Sequence, residues 1–508
     1  MAAAVTKKFN PLQFLSFQGP YKVLHMTWFA FFLTFMAWFN MAPLATTMKG
    51  SLEWLTDANI KILLICNVAL TIPARIIIGM LLDRFGPRKV YSGLLIVMSV
   101  PCFIFAFGET MIQMVISRLL LGVIGAGFVI GIRMVAEWFP PKDVGEAEGI
   151  YGGFGNFGSA ASAMLLPVLA LNLFGGVDGW RWAIVFTGVT CFVYGFIYYA
   201  SVTDTPPGKV YHKPKRGGAM EVTSWSSLYG LIFMQLPMLF ALGLLAWKLW
   251  SAGFLPTQGK HVTYGILVSV FVFQAWKAWT VNAPHIREGY AEKDKYAFRQ
   301  VAILDLAYFV TFGSELAVVS MLPKFFQETW SLTPQAAGAI GASFAFMNLF
   351  ARPMGGFLSD RLGSRRRTLS FLIGGLAVGY FLMSRLNSAW PIPVAVAVTM
   401  LCSFFVQAGE GAVYAVVPLV KKRVTGQIAG MVGAYGNVGA VVFLTVFSLV
   451  SEASTFFLTI CGCAVVCLVC SLFLKEPKGS FADVHHDEVE DEPAPPPALA
   501  DAAPEYLA

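Results

Sequence analysis

Two arginines, Arg75 and Arg352, sit inside long apolar stretches, and each precedes an Asp-Arg-x-Gly-x-Arg turn by the same spacing. Arg75 to Lys89 reads RIIIGMLLDRFGPRK and Arg352 to Arg366 reads RPMGGFLSDRLGSRR, which pairs Gly79 with Gly356, Asp83 with Asp360, Arg84 with Arg361 and Arg88 with Arg365. On a helix the two turns between each arginine and its aspartate rise about 12 Å, so both guanidinium groups are expected at membrane depth. A charge there costs several kcal/mol unless it meets a partner or a wet cavity. The planar, permanently charged fork of a guanidinium matches a planar oxyanion, so binding a small anion is the chemistry this pair suggests. The competing reading is that each arginine pairs with a carboxylate of its own bundle, although no acid lies within a turn of either along the chain.

A second match reinforces the first. GIYGGFGNFGS from Gly149 aligns with GMVGAYGNVGA from Gly430, pairing Gly152 with Gly433, Gly155 with Gly436 and Asn156 with Asn437. Glycine faces let membrane helices approach closely and slide. The two asparagines then either donate amide hydrogen bonds to an oxyanion or tie each helix to its neighbour.

The elements that must hold these residues follow from composition. Of 508 residues 57% are apolar and 13% charged, against roughly 25% charged in soluble domains, which nearly excludes a soluble enzyme. Fourteen apolar runs are expected as helices, at about 23–48, 58–82, 90–108, 111–138, 145–173, 181–201, 225–250, 263–282, 299–323, 335–358, 368–387, 390–420, 425–450 and 454–474. The pair 225–250 and 263–282 is interrupted by Pro237, Lys248 and Lys277, and either spans or lies in the interface. With the N-terminus in the cytoplasm, 24 of the 36 Lys and Arg fall in cytoplasmic loops or tails, a positive-inside bias that sets the orientation with both termini cytoplasmic. Charge placed between apolar runs argues against nucleic-acid binding. The eight cysteines lie in apolar runs, where packed thiols are expected rather than a metal site. The two collinear matches imply duplication: an N-terminal six-helix bundle over 1–200, a linker with two extra hydrophobic segments over 201–298, a C-terminal six-helix bundle over 299–474, and a disordered acidic tail over 475–508.

The loop sequences resemble the major facilitator superfamily, whose second helix in each half ends in G-x-L-x-D-R-x-G-x-R-K; here it stands as Gly79, Leu81, Asp83, Arg84, Gly86, Arg88, Lys89 and again as Gly356, Leu358, Asp360, Arg361, Gly363, Arg365, Arg366. More narrowly the chain resembles the nitrate/nitrite porter family, with a buried arginine in the second helix and a G-x-G-N-x-G stretch in the fifth helix of each half. The resemblance implies an all-α membrane protein of the major facilitator fold, twelve helices plus the inserted two. It also implies that Arg75, Arg352, Asn156 and Asn437 contact the substrate, with Tyr308 as a hydroxyl donor and Phe312 and Phe128 as ring walls around a flat anion.

Acids set the coupling. Glu137, Asp305, Glu315 and Glu410 lie in or at the ends of apolar runs, where ionisable groups mark proton paths or structural pairs. Glu137, one turn from Arg133 and near the expected position of Asp83, reads as part of a charge network that locks one conformation. Gating is therefore assigned to Asp83, Arg84, Asp360, Arg361, Arg133 and Glu137, with Gly152, Gly155, Gly433 and Gly436 as sliding surfaces. Glu315, seven residues beyond Tyr308 and so on roughly the same helix face, is the candidate for proton coupling; its rival role is a helix-end acid satisfied by water. The expected activity is transport of nitrate and nitrite by alternating access in an inner or plasma membrane, as proton symport, with nitrate/nitrite exchange, another small oxyanion or carboxylate, and a sensor or channel as alternatives. No enzymatic activity, cofactor or metal is expected, and the lipid bilayer, protons and the anions are the partners of a monomer.

Overall fold

The computed structural model describes residues 15–482, apart from 57–58, 61–62, 64–65, 69, 212, 214–218, 252, 254, 333 and 451. Fourteen helical stretches follow one another: α1 (Gly19–Trp38), α2 (Thr71–Phe85), α3 (Pro87–Ala106), α4 (Met111–Leu121, a 3-10 stretch, then Gly127–Trp138), α5 (Val144–Val168), α6 (Gly179–Ser201), α7 (Trp225–Phe233 and Leu236–Ser251), α8 (Thr257–Glu288), α9 (Phe298–Trp330), α10 (Pro334–Phe346 and Asn348–Arg361), α11 (Arg365–Met383), α12 (Ile392–Val420), α13 (Thr425–Leu449) and α14 (Ala453–Ser471). No strand occurs among the described residues, as expected where every backbone group in hydrocarbon must be bonded within its own segment. Twelve of the stretches are long and apolar enough to cross a membrane on length and composition; α10 breaks at Met347 and α11 starts on three arginines. The expected twelve-plus-two helical architecture is the one observed.

Both ends of the described chain lie on the face that carries the Asp83 and Asp360 turns. Tyr21 packs edge-on against Phe139 at the end of α4, and Glu476 accepts from Ser364 Oγ (3.0 Å) and the Arg365 amide (3.1 Å) at the start of α11. The first residues after α14 are therefore bonded to the start of α11. Glu476 caps α11, where a carboxylate meets unsatisfied N–H groups and the positive end of the helix dipole, and Phe481 lies under the Arg365 guanidinium. Residues 483–508, which include His485 and His486, lie outside the described residues.

The inserted helices stay on the periphery. Only Ala278, Asn282 and Ala283 of α8 are buried, and the pair is moored at its base, where Asn282 bonds Val222 and Met220 of the linker and Arg423 at the foot of α13 pairs with Glu221 and Asp294. Tyr435 of α13 donates to the Met234 carbonyl at 2.6 Å.

The seam between the first six and last six helices is built on glycine. α5 crosses α10 and α2 crosses α13, and a Cβ added to Gly356 would stand 1.8 Å from the Gly145 carbonyl oxygen. The same addition at Gly79 would lie 2.3 Å from Gly426 O, and at Gly430 2.4 Å from Arg75 O. Side chains at these positions would force the backbones apart, because the obstructing atoms are main chain. Within each half the glycine stretch also admits a neighbour: Gly158 lies on Phe32 O and Gly439 on Phe309 O.

Gly356→Val should therefore hold the seam open. Spin labels at Lys89→Cys and Arg367→Cys, on opposite sides of it, should report a longer distance in the Gly356→Val protein than in its parent; superimposable distance distributions would show that the seam tolerates the branch.

Candidate functional site

The centre of the seam is an aromatic box with a guanidinium on either side. Phe128 is aligned with Tyr308 (ring centroids 6.2 Å, planes 4° apart), and Tyr308 stacks on Phe312 at 5.0 Å. Tyr414 of α12 closes the box edge-on to Phe128 and Tyr308, at 4.6 and 4.9 Å. The guanidinium carbon of Arg75 lies 5.6 Å from the centroid of Phe128 and 5.3 Å from that of Phe312, and that of Arg352 lies 5.2 Å from Phe128. Two cations from different halves thus face one phenyl ring, where the ring quadrupole offsets part of their desolvation.

Each arginine crosses the seam over a glycine of the other half. A Cβ at Gly152 would stand 2.6 Å from Arg352 Nε, and one at Gly433 would stand 3.1 Å from Arg75 Cδ. Gly436 leaves room for Tyr308 and Phe312, and Gly155 for Phe31 of α1. The repeated glycines are therefore what lets the arginines and rings reach the centre. Local backbone does the rest on the α4 side: its 3-10 stretch, Gly122–Ala126, leaves carbonyls outside the α-helical ladder, and Gly122 O accepts from Thr71 while Gly125 O accepts from Arg75 Nε at 3.3 Å.

The arginines differ in their partners. Arg352 Nη2 donates to the Tyr308 hydroxyl at 2.9 Å, and Nη1 lies 2.6 Å from Glu410 Oε2 on α12. The competing reading, a carboxylate partner within its own bundle, thus describes Arg352. Sequence distance hid the pair, since Glu410 is far along the chain and reaches Arg352 only because α12 packs along α10, with a Cβ at Gly411 meeting the Arg352 carbonyl. Among the described residues Arg75, by contrast, bonds only backbone, the Gly433 and Gly125 carbonyls, and its Nη2 has no partner there although the residue is fully buried. An unmet charged donor away from water is expensive.

Behind Arg352 stands a polar cluster. Glu410 and Glu315 of α9 lie within electrostatic reach of each other, and Glu315 Oε1 accepts from Asn348 Nδ2 and from Gln407 Nε2 (3.4 Å). The asparagines of the glycine stretches behave differently from each other. Asn437 Nδ2 donates to the Gly433 carbonyl of its own helix at 3.2 Å, the same oxygen that accepts from Arg75, so it positions the arginine's anchor. Asn156 is buried, and its side-chain amide makes no hydrogen bond among the described residues.

Among the residues expected to gate, Asp83 and Asp360 form two related helix caps across the seam. Asp83 accepts from the Gly426 and Gln427 amides at 2.9 Å each, at the N-terminus of α13. Asp360 accepts from the Gly145 (3.1 Å) and Glu146 (2.6 Å) amides at the N-terminus of α5. Each carboxylate of one half thus neutralises the positive helix end of the other. Arg133 lies 4.0 Å from Asp83 and 2.8 Å from Glu137, and Lys422 of the opposite half reaches Glu137 at 3.5 Å. Arg361 lies 3.8 Å from Glu146 and is largely exposed, while Arg84 rests on the Phe85 ring and joins no acid among the described residues. The linker adds Tyr211, which donates to Leu82 O at 2.9 Å and lies under Arg133; burial holds its phenol above the ordinary range, against the pull of Arg133.

Residues 27–285 and 304–500 match the Major Facilitator Superfamily. The chain is 52% identical to the nitrate/nitrite transporter NrtP of Picosynechococcus sp., over 95% of this chain and 98% of that one. It is 51% identical to NrtP of Nostoc punctiforme over 93% and 96%, and 26% identical to the high affinity nitrate transporter 2.5 of Arabidopsis thaliana over 93% and 83%. Among solved structures it resembles the proton:xylose symporter XylE (TM-score 0.61, 15% identity, 93% of this chain and 98% of that one) and the E. coli fucose:proton symporter FucP (TM-score 0.61, 11% identity, 90% and 100%), likenesses of fold alone. The chain belongs to the major facilitator superfamily and, within it, to the nitrate/nitrite porter family.

The unequal partners of the arginines lead to unequal effects of removing them. Arg352→Gln leaves Glu410 buried without its cation and should cost about 3–5 kcal/mol of stability, whereas Arg75→Gln removes an unmet donor and should leave thermal unfolding close to that of the parent. Equal destabilisation in scanning calorimetry would contradict the asymmetry.

Proposed function

We propose that this multi-pass membrane protein carries nitrate and nitrite across the cell membrane by alternating access, as uptake coupled to protons. The observation that supports it most is the open Nη2 of Arg75, fully buried beside Phe128 and Phe312. A trigonal monoanion laid between the rings takes that donor with one oxygen and turns another toward Arg352, while the aromatic walls disfavour bulkier or tetrahedral ions. The relatives named for nitrate and nitrite are similar to the chain across nearly its whole length.

The two six-helix bundles, 1–200 and 299–474, are the moving bodies in this reading, with both termini cytoplasmic and the chain acting as a monomer. In this reading the Asp83 and Asp360 caps and the glycine seam, both of which join the two bundles, keep the terminus face closed. Filling the site draws the halves together over the anion. Breaking the caps opens the terminus face, and because each cap spans the seam, both break together.

The Glu410 pair favours symport over exchange. With Glu410 ionised, the empty site carries one net positive charge rather than two, which lowers the electrostatic obstacle to return of the empty carrier. When the anion takes Arg352, Glu410 loses its counter-charge and retains a proton instead, and two carboxyls in contact hold such a proton between them. Cargo and proton then occupy the protein together.

Purified protein in liposomes provides the test. An inward-directed proton gradient should accelerate nitrate uptake, nitrite should compete more strongly than formate or oxalate, and internal nitrite should be dispensable. Glu315→Gln should cut gradient-driven uptake at least tenfold. Uptake that requires internal nitrite and ignores pH would replace symport by exchange, and stronger competition by oxalate would reject the substrate.

A further inference from the structure

The face of α9 that carries Tyr308 holds an acid at each end. Asp305, Tyr308, Phe312 and Glu315 follow at spacings that return to one side of a helix, and Asp305 and Glu315 stand about 15 Å apart along it. Glu315 belongs to the cluster behind Arg352. Asp305 does not: it is fully buried, lies toward the terminus face from the box, and neither of its oxygens has a hydrogen-bond partner among the described residues. The titratable groups near it among those residues are tyrosines, Tyr414 of α12 and Tyr435 of α13. Tyr435 spends its hydroxyl proton on the Met234 carbonyl and Tyr414 is turned to the Ala429 carbonyl at 3.4 Å, so neither cation nor donor stabilises a carboxylate there. A lone acid in such surroundings is stable in its neutral form and releases a proton only when water reaches it.

Asp305 explains nothing in the packing, and its position complements that of the acid pair. Tyr308, whose hydroxyl accepts from Arg352 and keeps its own proton to give, lies one turn from Asp305 on α9. Tyr414 lies one turn beyond Glu410 on α12. Hydroxyls therefore line the interval between the two acidic ends.

Resting on the proton-coupled reading above, we propose that Asp305 is the port through which the coupling proton leaves toward the terminus face, with the Glu315–Glu410 pair as its point of entry. Opening of the seam wets Asp305, whose O–H bond breaks as water takes the proton and the anion departs to the same side. On reclosure the Asp305 carboxylate accepts the proton held by the acid pair through the intervening hydroxyls, and the pair refills from water on the opposite face. One proton crosses per cycle and no other reactant is needed.

The test compares two fluxes in liposomes holding the full-length chain. Asp305→Asn should reduce nitrate accumulation driven by a proton gradient to the level seen without a gradient, while exchange of labelled for unlabelled nitrate at equal pH stays within twofold of the parent. Asp305→Glu should keep both fluxes, and Asp305→Cys should repeat the asparagine result. Gradient-driven accumulation that survives in Asp305→Asn overturns the assignment, and so does loss of exchange together with accumulation, which would place Asp305 in the anion step or the fold. A parent protein indifferent to the gradient removes the coupling reading itself, and this proposal with it.

Discussion

A guanidinium sunk in apolar surroundings with one donor unmet is the constraint around which this molecule is organised. Arg75 reaches the centre only because Gly433 has no side chain, is steadied by two backbone carbonyls, and keeps Nη2 free beside two aromatic faces. Arg352 mirrors it in sequence and in its glycine, yet is held by Glu410 and Tyr308. The duplicated scaffold thus carries one arginine held by backbone carbonyls alone and one paired with a protein carboxylate among the described residues. On the proposed function, that difference would tie anion occupancy to proton occupancy.

The same economy of parts recurs at the terminus face. A carboxylate at the end of α2 caps α13, and its counterpart at the end of α10 caps α5. Each cap joins opposite halves, so the turns that end two helices also bond the first bundle to the second. The glycine crossings just inside them bring main chain onto main chain, which gives a seam that either closes fully or not at all. The inserted α7 and α8 lie at the edge of this machinery, where Tyr435 of α13 bonds the Met234 carbonyl and Arg423 pairs with Glu221 and Asp294 of the segments that flank them.

Much of this was legible in the sequence because duplication prints it twice. The offset match of RIIIGMLLDRFGPRK with RPMGGFLSDRLGSRR exposed both arginines and both capping aspartates, and composition fixed the all-helical class. What stayed hidden was contact between residues far apart in the chain. Nothing in VQAGEGAV marks Glu410 as the partner of Arg352, since adjacency there is a property of how α12 packs on α10. Tyr414 was missed for the same reason, and Asn437 turned back to its own helix because a carbonyl already shared with Arg75 lies within reach. The order of residues 475–482 depended on Glu476 finding the start of α11, a helix cap supplied across more than a hundred residues of chain.

If the open donor of Arg75 receives the transported anion, a structure determined with nitrate bound should show trigonal density between the rings of the box, within hydrogen-bonding distance of Arg75 Nη2 and facing Arg352. Nitrate bound elsewhere in the chain, with Arg75 Nη2 satisfied by a protein oxygen, would contradict it.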